Sequence, residues 1–237
     1  MGVQCVDCVE EAAAARPKVR TAVGGRARDG RPTVTLGLIG LNVAIYLASM
    51  VVAGLWTTLV FAPSIGSEHP YRFLTSAFLH GGALHLAVNM YALWIVGSVL
   101  EPALGRWRYI CLYLVSAVGG SIAVLLLSSP DSTSWTVGTV GASGAVFGMF
   151  AAVFLVLRRL GRDATQILIL LAINFALGFA IANISWQAHL GGMVTGALLS
   201  AAYVYAPRER RTLVAVLATI TLTVVLVVAA YLRYVTT

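Results

Sequence analysis

The sequence predicts an all-α membrane protein, a polytopic bundle of about seven transmembrane helices. Of the 237 residues, 59% are hydrophobic and only 11% are charged, and the charges fall in clusters that separate long apolar stretches. A soluble domain is about half apolar and about a quarter charged, so this composition indicates a membrane protein. Because each span needs about 20 apolar residues, the length suits one bundle with short connections and leaves no room for a second domain.

Charge-free stretches mark the expected spans in chain order. Five of them hold one span each: 31–68, 72–101, 108–131, 131–158 and 211–233. A longer stretch, 163–208, holds two spans that divide near Asn183, Ser185 and Gln187. We therefore expect three parts. They are a polar N-terminal tail at residues 1–33, a six-helix core at 34–206 and a seventh transmembrane helix at 207–237.

Basic residues near the span ends predict the orientation of the bundle. The N-terminal tail and alternate connections, at residues 106–108, 158–162 and 208–211, carry nearly all of them. The opposite side shows only Arg72 and Arg233. Because Lys and Arg collect on the cytoplasmic side, we expect a cytoplasmic N-terminus, an external C-terminus and a cell (inner) membrane location. The basic residues form no continuous face, so nucleic acid is not an expected partner.

Polar side chains inside spans are energetically expensive, so the few that occur are functional candidates. Three sets of them lie near the outer ends of the second, fourth and sixth spans. In chain order these are His80, His85 and Asn89; Ser143 within the segment 141–148; and His189. All three spans run in the same direction, so the three sets are expected at similar depth on one side.

Glycine spacing predicts close contact between the fourth and sixth spans. Two series share the spacing i, i+3, i+7: Gly141, Gly144, Gly148; and His189, Gly192, Gly196. Small residues let two helices approach closely in a membrane. Such an approach could bring the Ser143 hydroxyl within hydrogen-bond reach of the His189 ring.

A serine beside a histidine indicates nucleophilic catalysis. The imidazole removes the hydroxyl proton during attack on a carbonyl and returns it to the leaving amine. The oxyanion needs hydrogen-bond donors, which His85, Asn89 and the backbone N–H of Ser143 could supply. No carboxylate within a span is available to orient His189, so the expected arrangement is a Ser143–His189 dyad and not a triad.

These motifs resemble the rhomboid family of intramembrane serine proteases. Three motifs carry the resemblance over about residues 34–206: Gly141-x-Ser143-Gly144, Ala188-His189-x-x-Gly192-x-x-x-Gly196, and His85-x-x-x-Asn89 with His80 upstream. With a seventh span, the chain resembles the six-plus-one form. The resemblance implies an endopeptidase that cleaves transmembrane or membrane-adjacent segments of membrane proteins, without cofactor or ATP. The expected partners are membrane-protein substrates and the lipid bilayer.

Two positions depart from the pattern of that family. Phe147 stands where many relatives have Tyr; its aromatic face can still stack under the histidine, but a hydroxyl contact is lost. Tyr71 stands where Trp precedes the arginine of the first external loop.

Six residues are expected to support the site without reacting: His80, Gly141, Gly144, Phe147, Gly192 and Gly196.

Two other protein classes stay open. A non-catalytic rhomboid-like protein would bind membrane clients without cutting them, although such relatives usually lack the serine or the histidine. A small transporter would typically show internal repeats or carboxylates inside its spans, and the sequence has neither. At the N-terminus, Cys5 and Cys8 resemble the end of a small zinc-binding module. They supply half of the four ligands of a structural zinc site, and no metal is expected.

Overall fold

The structure, a computed structural model, describes residues 5, 7, 21, 23, 24, 31–180 and 184–237. These residues form helices and no named β-strand. Seven helices of 16 to 25 residues dominate the described chain, and we number them α1 to α7. Their bounds are Thr33–Val51, Ala83–Leu104, Arg106–Leu127, Ser143–Arg159, Thr165–Ala180, Trp186–Tyr205 and Arg211–Val235.

The seven helices confirm the predicted all-α bundle. Four of them are long and apolar enough to cross a membrane: α1, α2, α3 and α7 with the turn before it. Of the other three, α4 and α6 are interrupted by glycine and polar residues, as expected of helices that pack inside a bundle. Helix α5 is apolar but shorter, and most of its described side chains are exposed. The predicted division near Asn183 falls between α5 and α6; Asn183 itself lies outside the described residues, as does Cys8.

The fourth helix lies at the centre of the bundle and packs against α2, α3, α5 and α6. Its side chains are buried along almost its whole length. The first helix packs mainly on α2, and α7 packs on α3 and α6. Gly24 of the tail lies beside Arg108 and Arg211, so the tail and the starts of α3 and α7 meet at one arginine-rich end. We call the opposite end, where α4 begins, the Ser143 end.

Two loops cover the Ser143 end. The first loop, residues 52–82, joins α1 to α2 and contains the short helices Leu55–Leu59 and Arg72–Thr75. The second loop, residues 128–142, joins α3 to α4. The two loops are linked by an isolated antiparallel bridge between Phe61 and Thr139.

The charge of Glu101 predicted the end of the second span at this residue, and that prediction is wrong. The helix continues to Leu104 and stops where Gly105 takes φ +84°. The Glu101 side chain is buried and accepts hydrogen bonds from the backbone N–H groups of Val34 (3.1 Å) and Thr35 (2.9 Å) and from the Thr35 hydroxyl (2.9 Å). These N–H groups belong to the first turn of α1 and have no acceptor within their own helix. Glu101 therefore caps α1, where its negative charge also suits the helix dipole.

We expect Glu101→Gln to lower the free energy of unfolding by about 2 kcal/mol, since hydrogen bonds to a charged group contribute about 1.5–3 kcal/mol. The amide also turns one acceptor into a donor that faces N–H groups. Thermal unfolding in mild detergent should show a midpoint roughly 4–8 °C lower. Glu209→Gln is the matched control because Glu209 is exposed. If Glu101→Gln has the same unfolding midpoint as Glu209→Gln, the capping role is contradicted.

Candidate active site

Ser143 is the first residue of α4, and the backbone before it is shaped by Gly141. Gly141 has φ +123°, which side chains other than glycine rarely adopt. A Cβ at this position would lie 2.8 Å from Cε1 and Nε2 of His85. The His85 ring therefore lies directly against the Gly141 backbone, two residues before Ser143. The predicted neighbourhood of the second and fourth spans is present in the structure.

His85 presents its Nε2 edge to this backbone. Its Nδ1 accepts a hydrogen bond from the Gly81 N–H at 3.3 Å, which assigns the proton of the neutral ring to Nε2. The imidazole can thus donate a hydrogen bond beside Gly141. Asn89, one turn further along α2, is buried and uses its amide to donate to the His85 carbonyl at 2.9 Å. An amide NH₂ has two donors, so one remains for another acceptor.

His80 lies behind His85, with ring centroids 5.1 Å apart in an edge-to-face arrangement. Its side chain is 1% exposed. Burial, with the charge of His85 as a smaller cause, lowers the pKa of His80 to about 4, and a backbone contact with Phe78 partly offsets this. His80 is therefore neutral near pH 7 and packs edge-to-face behind the His85 ring.

His189 lies in the first turn of α6 and stacks on Phe147 of α4. The two rings are nearly parallel, at 15°, with centroids 4.1 Å apart. Phe147 is one helical turn beyond Ser143, so the imidazole lies against the α4 face that carries the serine. The Ser185 hydroxyl caps α6 by accepting from the Ala188 N–H at 3.3 Å, which fixes the turn that bears His189.

The hydrogen bond expected between Ser143 and His189 is not formed in the structure. Nδ1 of His189 is buried and has no hydrogen-bond partner among the described residues. Catalytic hydrogen bonds in enzymes without substrate are often long and tighten only in the reactive complex. The two side chains lie on facing helices, and the direct contact between them remains a prediction.

The predicted close contact of the fourth and sixth spans is confirmed. A Cβ on Gly192 would overlap the backbone of Gly144, and a Cβ on Gly196 would overlap the backbone of Gly148. Backbone thus packs on backbone at two positions one helical turn apart, and this brings α6 against the Ser143 face of α4. The exception is Gly141, which lies before the helix and faces His85 instead.

The third helix also packs against α4 and α6 at this crossing. The sequence patterns considered above did not predict this contact. A Cβ on Gly120 of α3 would lie 2.9 Å from the Ala188 carbonyl, and the Ser116 side chain fills the space beside Gly148. A Cβ on Gly191 would meet Ala123 of α3. The Gly119-Gly120 pair within an apolar span was the signal that could have indicated this contact.

In the described part of the chain no three His, Cys, Asp or Glu side chains come together as metal ligands.

Comparison with a family model and comparison with individual proteins indicate the same family. The Rhomboid domain model matches residues 67–206. The chain is 33% identical over 190 residues to Rhomboid protease GluP of Bacillus subtilis (strain 168), a match that covers 74% of this chain and 36% of GluP. It is 27% identical to Rhomboid protease AarA of Providencia stuartii, over 77% of this chain and 76% of AarA. It is 32% identical to the putative rhomboid protease YdcA of Bacillus subtilis (strain 168), over 71% of this chain and 87% of YdcA.

Proposed function

The chain belongs to the rhomboid family, and from this membership we propose that it is an intramembrane serine endopeptidase with Ser143 as nucleophile and His189 as general base. The observation that carries the proposal is the stacking of His189 on Phe147, with ring centroids 4.1 Å apart, one turn from Ser143 on the same helix. That arrangement supports an imidazole held beside the serine. His85, whose ring lies against Gly141, adds a donor beside the backbone two residues before Ser143.

The proposed reaction begins when His189 accepts the proton of the Ser143 hydroxyl while Oγ attacks the substrate carbonyl carbon. The carbonyl oxygen becomes an oxyanion that receives hydrogen bonds from the Ser143 N–H, Nε2–H of His85 and the remaining amide N–H of Asn89. The start of α4 also favours negative charge, because first-turn N–H groups have no helical acceptor. His189 then protonates the leaving amine. Water, deprotonated by the same imidazole, hydrolyses the acyl-enzyme and regenerates Ser143.

The proposed substrates are transmembrane or membrane-adjacent segments of membrane proteins. The site supports this class because Ser143 is half-buried and His189 is only 8% exposed, within a bundle that exposes apolar side chains to its surroundings. We propose that the Ser143 end faces outward from a cell (inner) membrane. The opposite end carries the arginine clusters, where the tail lies beside Arg108 and Arg211, and basic ends favour the cytoplasmic side.

The test uses wild-type protein in mild detergent with a generic single-span substrate, and separately with a fluorophosphonate that labels activated serines. We expect cleavage into two products and one adduct, located on Ser143 by mass spectrometry. Ser143→Ala serves as the blank for both readouts. A wild-type protein that retains the substrate uncut and takes no label would replace the proposal with a client-binding function.

Phe147→Leu should reduce kcat by about two- to tenfold, because the stacking of two aromatic rings contributes about 0.5–1.5 kcal/mol beyond area burial. Loss of the parallel face lets the His189 ring turn away from Ser143, whereas Phe147→Tyr keeps the face and should retain most activity. The measurement is the rate of substrate cleavage at saturating substrate. Phe154→Leu on the same helix is the matched control. Equal rates for the two leucine variants would contradict a role for the stack.

A further inference from the structure

We propose that Arg233 and Tyr234, near the end of α7, are positioning residues for the proposed reaction. Tyr234 holds the first loop and Arg233 holds the second, and through these loops they hold the backbone that precedes Ser143. We call this pair the α7 brace. Its effect on catalysis rests on the proposed function, whereas its effect on the loops can be measured independently of any activity.

The α7 brace contacts both loops at the Ser143 end. The Tyr234 hydroxyl donates a hydrogen bond of 2.8 Å to the Pro63 carbonyl in the first loop. Nη2 of Arg233 donates a hydrogen bond of 2.9 Å to the Ser128 carbonyl in the second loop. The Trp135 ring of the second loop lies close to both brace residues: its centroid is 5.5 Å from the Arg233 guanidinium and 6.4 Å from the Tyr234 ring centroid. One end of a single helix thus binds two separate loops.

The contact with the first loop is tightly packed. A Cβ on Gly66 would overlap the Tyr234 hydroxyl and lie 2.8 Å from the Phe61 ring and 3.1 Å from the Phe73 ring. The two phenylalanine rings are 4.4 Å apart and belong to the same apolar cluster as Ala230 of α7. Phe61 is fully buried there. Because this packing leaves little free space, the loop cannot shift without breaking the contact to Tyr234.

The first loop in turn holds the segment that leads into Ser143. The Thr139 N–H donates to the Phe61 carbonyl at 2.6 Å, and the Gly141 N–H donates to the Ser76 carbonyl at 3.0 Å. These two backbone bonds hold residues 139–141 on both sides, immediately before the nucleophile. Pro63, which receives the Tyr234 bond, is two residues from Phe61. A path of backbone and hydrogen bonds therefore runs from α7 to the segment just before Ser143, whose N–H is the proposed backbone donor to the oxyanion.

This brace lies outside the matched family domain. The Rhomboid domain match ends at residue 206, whereas α7 begins at Arg211. Helix α7 packs on α3 and α6, and its end bonds to the two loops. The seventh helix thus adds a support for the site to the six-helix part of the bundle, in addition to one more membrane crossing.

Tyr234→Phe tests the brace because it removes one hydroxyl and keeps the ring. Tyr231→Phe is the matched control, since Tyr231 lies on the same helix and is 66% exposed. The first readout is amide hydrogen exchange of the segment 136–147, followed by mass spectrometry. The loss of one net hydrogen bond should increase local opening, and therefore exchange, by about fivefold in Tyr234→Phe. Exchange equal to that of Tyr231→Phe would overturn the brace, whether or not the protein cleaves anything.

The second readout is the split between kcat and KM for a single-span substrate. We expect Tyr234→Phe to lower kcat by about the same fivefold and to leave KM unchanged, because the path ends at the nucleophile. Fluorophosphonate labelling of Ser143 should slow by a similar factor. An unchanged kcat with faster exchange would overturn the positioning role. A wild type that neither cleaves nor labels would refute the proposed function, while the exchange data would still decide the brace.

Discussion

Ser143→Ala is expected to abolish cleavage of a single-span substrate, and His189→Gln to reduce it by at least about 10³-fold. The alanine variant removes Oγ, the only atom of that side chain able to form the acyl-enzyme. Glutamine keeps bulk against Phe147 but cannot accept and return a proton at neutral pH. Because the serine and the histidine act as one unit, the double variant should be no worse than Ser143→Ala alone.

The dyad experiment needs controls of the same chemistry. Ser98→Ala changes an exposed serine on α2 whose hydroxyl bonds to the Trp94 carbonyl, and His69→Gln changes a histidine of the first loop. Both should cleave at the wild-type rate. All four single variants should keep the wild-type unfolding midpoint within a few degrees. Cleavage that survives in Ser143→Ala would assign the activity to another nucleophile or to a contaminating protease.

The fold was largely predictable because its main signal is local. Runs of apolar residues between charges mark spans directly, and each of the seven long helices lies in or close to a predicted stretch. Two charges were exceptions: Arg108, which lies buried inside α3, and Glu101, which lies buried inside α2. A carboxylate is a poor guide to a span end when a second helix supplies donors for it, and the N–H groups of Val34 and Thr35 do so from 66 or 67 residues away.

The candidate site was predictable only in part. The spacing of Gly192 and Gly196 is periodic, so the contact of α6 with α4 could be read from the sequence. The role of Gly141 could not, since its φ and its contact with His85 depend on how the loops close over α4. The bond from Tyr234 to the Pro63 carbonyl spans 171 positions and has no periodic signature. Such contacts become visible only once the helices are assembled.

Gly192→Ala and Gly196→Ala are each expected to lower the free energy of unfolding by about 3 kcal/mol or more. Overpacking a core typically costs about 1–3 kcal/mol when side chains can move aside. Here the added methyl groups would meet the backbone of Gly144 and Gly148, which cannot rotate away. The helices must separate instead, and the backbone packing along the α4–α6 crossing is lost. The expected decrease in unfolding midpoint is roughly 6–12 °C.

Glycine-to-alanine changes in an open part of the bundle provide the matched control. Gly37 and Gly40 lie in α1, and neither would bring a Cβ within 4 Å of another group. Alanine there should be neutral or stabilise by up to about 1 kcal/mol, because alanine loses less backbone freedom in a helix. Equal midpoints for all four variants would contradict the close crossing. Gly192→Ala should also displace His189 from Phe147, and cleavage should fall even at temperatures where the protein stays folded.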